Sequence, residues 1–166
     1  MDVMKQIEDV DVQFVTSARA LKLAGRFDKT LCDEAAARFT FEDVTRCAFE
    51  LTIKVISKEC WQVKGQMSAD IVQACIATGA PVKEHIDAEI EERFVPTFEE
   101  HDEIDVTDSS VEVLQDGKIP LGEVLMQTLG LAANPYPRVE NAPDNFEFGP
   151  KIEKENPFSK LIHLKK

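Results

Sequence analysis

The stretch Val82-Lys83-Glu84-His85-Ile86-Asp87-Ala88-Glu89-Ile90-Glu91-Glu92-Arg93-Phe94 decides the fold. Val82, Ile86, Ala88, Ile90 and Phe94 fall on one side, and Lys83, His85, Asp87, Glu89, Glu91 and Arg93 on the other. Period two over this length describes a strand with one face in a core and one in water. The same alternation precedes it. In Trp61 to Ala77, Trp61, Val63, Met67, Ala69 and Ile71 keep one parity, with Gly65 expected to mark a bulge or bend. In Phe49 to Ile56, Leu51, Ile53 and Val55 alternate with Glu50, Thr52 and Lys54. Thr78-Gly79-Ala80-Pro81 reads as a turn, and Pro96 ends the third strand. Short turns between successive strands predict an antiparallel meander over roughly residues 50–96.

Working outward, Pro120 opens a helix over about 120–133, proline being well tolerated in the first turn. Leu121, Val124, Leu125, Thr128, Leu129 and Ala132 form one continuous face, which should lie on the sheet. Asn134-Pro135-Tyr136-Pro137 ends it. Toward the N-terminus the elements are shorter. Asp11 to Thr16 alternates like a strand. Ser17 can cap a helix over Ala18 to Leu23 with Gly25 as its stop, and Asp33 to Arg38 gives another helical turn around Ala35, Ala36 and Ala37. The class is therefore α+β: a mainly antiparallel sheet covered by an amphipathic helix and short N-terminal helices.

Two segments have a different composition. Thr97 to Asp116 holds eight acids and no Lys or Arg, which reads as a solvated loop over about 97–110. Val111, Val113 and Leu114 add one short edge strand, and Asp116-Gly117 a turn. Five of the eight prolines lie beyond Asn134, so residues 138–166 read as an extended tail leaving a domain of residues 1–137. Residues 151–166 carry five lysines and two glutamates, and Asn156-Pro157 can start a helix with Phe158, Leu161 and Ile162 on one face.

The 166 residues fit one domain. A net charge of -12 excludes a generic basic nucleic-acid coat and makes DNA an unexpected partner, but leaves RNA contact through a local basic segment open. Acids interrupt the first residues, so no secretory signal is read. The most apolar stretch, Leu121 to Ala133, is shorter than a membrane span of roughly 20 residues and carries Glu123 and Gln127. The expected location is the cytoplasm, with no membrane partner. Cys32, Cys47, Cys60 and Cys75 are nowhere closer than thirteen positions, so reduced, partly buried thiols are expected rather than zinc ligand pairs.

Three segments in order carry a resemblance. The first runs from Val63-x-Gly65 through Ala69-Asp70-Ile71-Val72-Gln73-Ala74-Cys75-Ile76-Ala77-Thr78 to Pro81-Val82. The second is Asp116-Gly117-Lys118-Ile119-Pro120-Leu121-Gly122-Glu123 with Leu129, Leu131 and Pro135-Tyr136-Pro137-Arg138. The third is Asn156-Pro157-Phe158-Ser159-Lys160-Leu161. Over roughly residues 60–166 the chain resembles the YceD family, the large ribosomal RNA subunit accumulation proteins, in their alphaproteobacterial form. The resemblance implies a bacterial cytoplasmic protein needed for accumulation of large-subunit (23S) rRNA. Many members carry Cys-x-x-Cys-Leu-Glu-Pro-Val at the turn. Here Val72 stands for the first cysteine and Gly79-Ala80 for the Leu-Glu pair, so no role of a cysteine pair transfers. Pro120 stands where relatives have an aspartate cap.

The candidate partner-binding residues are Tyr136, Arg138, Phe158, Lys160, Leu161 and Lys165. Tyrosine can stack a nucleobase and arginine can grip phosphate; the expectation for Tyr136 is that it covers the core where the helix ends. The tail either folds onto a ribosomal protein or rRNA backbone, or docks on its own domain. The acidic run could hold a basic ribosomal protein, though a plain solvated loop is the simpler expectation. Cys75 as a zinc ligand would need three partners, with His85 the nearest histidine. His85, His101 and His163 lie on different kinds of segment, and no Gly-rich phosphate loop follows a strand. No catalysis, cofactor or metal is expected. The expected function is a non-catalytic ribosome-biogenesis factor binding a ribosomal protein or large-subunit rRNA. The competing class is a small-ligand or metal-binding module using a cavity between helix and sheet.

Overall fold

Every second side chain of three fifteen-residue strands turns into one apolar layer, and the rest of the chain is arranged to cover it. The computed structural model describes residues 2–4, 7–97 and 111–143. In chain order the elements are β1 (Asp2–Met4), β2 (Val10–Asp11), a 3-10 turn (Val12–Phe14), β3 (Leu21–Phe27), α1 (Lys29–Phe39), β4 (Asp43–Ser57), β5 (Cys60–Ala74), β6 (Pro81–Val95), β7 (Val111–Val113), β8 (Lys118–Ile119) and α2 (Leu121–Ala132). Among the described residues one sheet has the order β1-β3-β4-β5-β6-β7, and β2 pairs with β8 apart from it. β3 to β6 are antiparallel, while β1 and β7 add parallel to β3 and β6. The fold is α+β with a mainly antiparallel sheet, and β7 is the expected edge strand.

Register explains the core. Phe49 lies opposite Met67 and Met67 opposite Ala88; Leu51 opposite Gly65 and Gly65 opposite Ile90. Cross-strand neighbours on this face stand close enough to pack. Near its start β4 has a bulge between Val44 and Arg46, where the Thr45 hydroxyl donates to the Asp70 carbonyl at 3.1 Å. The extra residue reverses parity, so Val44 and Cys47 are both buried. Gly65 is not a bulge. It sits in unbroken register, and a Cβ there would overlap the Glu50 carbonyl oxygen, so the glycine permits close approach of β4 and β5.

Both helices cover the same face, and their buried side chains join the sheet's in one cluster. Asp28 caps α1 by accepting from the Leu31 N–H at 3.0 Å, and Leu31, Cys32 and Ala35 face inward. α2 buries Leu121, Val124, Leu125, Met126 and Leu129. Ala132 is exposed, and Pro120 stands just before the helix as its cap residue. Ile119, Leu125 and Leu129 are fully enclosed, so the space between helix and sheet is filled by side chains. A bidentate Arg38–Glu123 pair at 2.8 and 2.5 Å ties α1 to α2. A smaller cluster of Cys60, Val95 and Val111 closes one end.

The N-terminal third departs from expectation. Ala18 to Leu23 is no helix: Ser17 and Ala18 form a turn closed by the Thr16–Arg19 backbone pair, and β3 follows. Leu21, Leu23, Gly25 and Phe27 alternate inward against β4, whose ladder outweighs the helix propensity of Ala and Leu. Asp11 to Thr16 is strand only at Asp11; Asp11 then caps the 3-10 turn by accepting from Gln13 N–H at 3.0 Å. The turn expected at Asp33 to Arg38 belongs to the longer α1. Residues 98–110 of the acidic stretch, and the tail from residue 144 with Phe158, Lys160, Leu161 and Lys165, lie outside the described residues.

Candidate functional site

The β5–β6 connection and the chain leaving α2 form one structure. Cys75 N–H donates to the Ala80 carbonyl at 2.8 Å, and Gly79 at φ +73° lets the turn close. The exit of α2 is then clamped to it. Gln73 Nε2 donates to Glu84 Oε2 at 2.9 Å and to the Asn134 carbonyl at 3.0 Å, while Asn134 N–H donates to Glu84 Oε1 at 3.0 Å. Asn134 Oδ1 accepts from the Tyr136 N–H at 2.9 Å, and Ile76 N–H donates to the Pro137 carbonyl at 2.9 Å. Two chain segments far apart in sequence thus meet at one end of the sheet.

This clamp decides where each candidate side chain goes. Pro137 is buried, and Tyr136 is 70% exposed. The expectation that Tyr136 covers the core is overturned: Pro137 is the buried residue here, and Tyr136, its N–H bonded to Asn134 Oδ1, stands in solvent. Arg138 is exposed and donates to the Pro143 carbonyl at 2.7 Å. Ile76 on the turn and Leu131 in the last turn of α2 are 45% and 87% exposed, giving three large apolar side chains at this end. No family model, curated protein or solved structure matches this chain.

Cys75 is free and buried, like Cys32, Cys47 and Cys60. The Thr78 hydroxyl, with backbone groups of Val139, Ala77 and Thr78, holds its pKa down to about 7. Burial pushes the Cys47 thiol up to about 12. Among the described residues no group of three or more His, Cys, Asp or Glu is placed to hold a metal ion. His85 is engaged elsewhere.

The second surface is the face of the sheet without helices. Cross-strand rows run Arg26–Ala48–Ser68–Asp87, Ala24–Glu50–Gln66–Glu89 and Lys22–Thr52–Lys64–Glu91. Two shallow troughs of about 570 and 630 Å³ share the Glu50–Gln66–Glu89 row. At one end His85 lies between two carboxylates, Nδ1 at 2.5 Å from Asp70 and Nε2 at 3.3 Å from Asp87, with Arg46 at 3.5 Å from Asp70. The Asp70 hydrogen bond raises the imidazole above its ordinary 6.5. These three rows contain no aromatic side chain, and His85 beside them is held between carboxylates, so they are not a stacking platform for bases. Sequence reading found the alternating polar positions of β6. It did not find the Gln73–Glu84–Asn134 clamp, whose members are far apart in sequence and meet only in the fold.

Proposed function

We propose that this protein is a non-catalytic ribosome-biogenesis factor of the bacterial cytoplasm, needed for accumulation of large-subunit (23S) rRNA. It acts by binding a basic ribosomal protein during large-subunit assembly. The observation that carries the reading is the meeting of the first two segments of the YceD resemblance. Gln73 and Ile76 of one bond Asn134, next to the other, and Pro137 within it, and Ile76, Leu131 and Tyr136 stand exposed around the junction. An exposed aromatic among polar neighbours is a common anchor of protein interfaces.

Charge favours protein over RNA within this class. At a net charge of -12, approach to naked rRNA is opposed, whereas approach to a basic protein is accelerated. The three central rows of the sheet face carry no aromatic for bases to stack on, and His85 at its end is held between two carboxylates. Among the described residues no helix is long and apolar enough to cross a membrane.

The test is crosslinking in living bacteria followed by identification of bound protein and RNA, with the 23S to 16S rRNA ratio measured after depletion. Large-subunit proteins should be recovered and the ratio should fall. Recovery of a metabolic enzyme complex with no ribosomal component, and an unchanged ratio, would refute the proposal.

A further inference from the structure

We propose that the free edge of β6 receives an extended, lysine- and arginine-rich peptide segment as an added strand. The inference deepens the proposed function, and rests on it where it takes the peptide to belong to a ribosomal protein. β6 is paired with β5 along Pro81 to Phe94, but on its other side β7 reaches only Arg93 to Val95. Among the described residues nothing pairs with the backbone edge from Lys83 to Glu91.

The direction of the free groups follows from the hairpin. Antiparallel partners alternate between pairs that exchange hydrogen bonds and pairs that do not. Cys75 and Ala80 share the register of β5 and β6, and Cys75 N–H donates to the Ala80 carbonyl. Counting in twos, Val82, Glu84, Ile86, Ala88 and Ile90 bond β5. Lys83, His85, Asp87, Glu89 and Glu91 therefore turn their N–H and C=O groups outward. Val95, of the same parity, accepts from the Leu114 N–H at 2.9 Å on that outward side.

The outward residues also carry the charge. Asp87, Glu89 and Glu91 are exposed and stand at alternate positions, about 7 Å apart, on the open face. Asp87 is near His85 and Glu91 near Lys64, but Glu89, between them, has no ion pair among the described residues. An added strand with Lys or Arg at alternate positions would set its cations opposite these carboxylates while its backbone bonds the edge. A second copy paired about Glu89 would bring acid against acid, whereas a basic strand in that register meets a carboxylate at each alternate position. Lys83, of the same parity on β6, and Lys22 and Arg26 on the opposite side of the open face, would repel such a segment, so the attraction is confined to Asp87 through Glu91. α2 packs on the other face of the sheet, its buried side chains joined to the core there.

The experiment uses the full-length protein, isotope-labelled for NMR, and a capped synthetic nonapeptide of alternating lysine and valine. Binding should shift the amides of His85, Asp87, Glu89 and Glu91 and slow their hydrogen exchange. The same peptide N-methylated at alternate residues should lose binding, and Glu89→Lys should weaken the parent peptide about tenfold with an unchanged melting temperature. Equal affinity of the N-methylated peptide, shifts confined to another surface, or outward amides already protected without peptide would each overturn the proposal. Loss of peptide binding with ribosomal proteins still captured from cells overturns the edge site alone. Peptide binding at the edge with no ribosomal component captured supports the edge and refutes the ribosomal reading.

Discussion

At position 65 a side chain would collide with its neighbour strand. Besides overlapping the Glu50 carbonyl oxygen, a Cβ would stand 2.9 Å from Leu51 Cα, and both obstacles are backbone. Gly65→Ala should therefore destabilise by about 3 kcal/mol, more than an ordinary surface change, because β4 and β5 must separate in mid-sheet. Urea unfolding measures this; a loss below about 1 kcal/mol would mean that the strands part easily there. A second residue-scale prediction concerns pH. Arg38 holds the Glu123 carboxyl down to about 2 from its ordinary 4.5, with Gln127 helping. A lowered folded-state value means the pair stabilises above about pH 4.5 and loses that contribution as pH falls toward about 2. Wild type should melt slightly higher than Glu123→Gln at pH 7, and the difference should shrink through that window. The effect is small, since both side chains are more than a third exposed and solvent screens them.

Among the elements, α1 is bounded by two residues with opposite consequences. Asp28 satisfies an otherwise unpaired N–H at its start, so Asp28→Ala should cost about 1 kcal/mol. Thr40 at its end is a β-branched residue at φ +60°, a left-handed conformation that strains any L side chain. Thr40→Gly should stabilise by about 0.5–1 kcal/mol, the relieved strain exceeding the extra freedom glycine gives the unfolded chain. Thermal melts of the two variants should move in opposite directions. These elements also show what a sequence reveals. The long strands were legible because burial on one face imposes period two over many residues. β4 was legible only from Phe49 because the Thr45 bulge reverses parity before it. β3 was hidden because Leu21 to Phe27 is short and its Ala and Leu favour helix in isolation, whereas the ladder to β4 exists only in three dimensions. β1, β2 and β8 have two or three residues each, too few for any period. The site followed the same rule: the open-face residues of β6 could be read from alternation, but the exposure of Tyr136 depends on Gln73 and Glu84 holding Asn134.

For the whole molecule, the question is whether shape and partner contact can be separated. The side chains that hold the shape lie between the helices and one sheet face, while Leu131 and Tyr136 project from the end of α2. A Leu131→Ser and Tyr136→Ala double variant removes apolar contact area without touching the buried cluster. Its unfolding free energy should stay within about 0.5 kcal/mol of wild type, as exposed substitutions usually do. On the proposed function, capture of large-subunit proteins from cell extract should nevertheless fall about tenfold, because an interface anchor contributes through burial that exists only in the complex. Wild-type capture should also weaken as salt rises, since a chain of net charge -12 attracts a basic partner through a field that ions screen. The two readouts are independent. A double variant that is destabilised would place these side chains in the structure of the domain. A stable variant with undiminished capture, still sensitive to salt, would move the contact from the end of the sheet to its charged face.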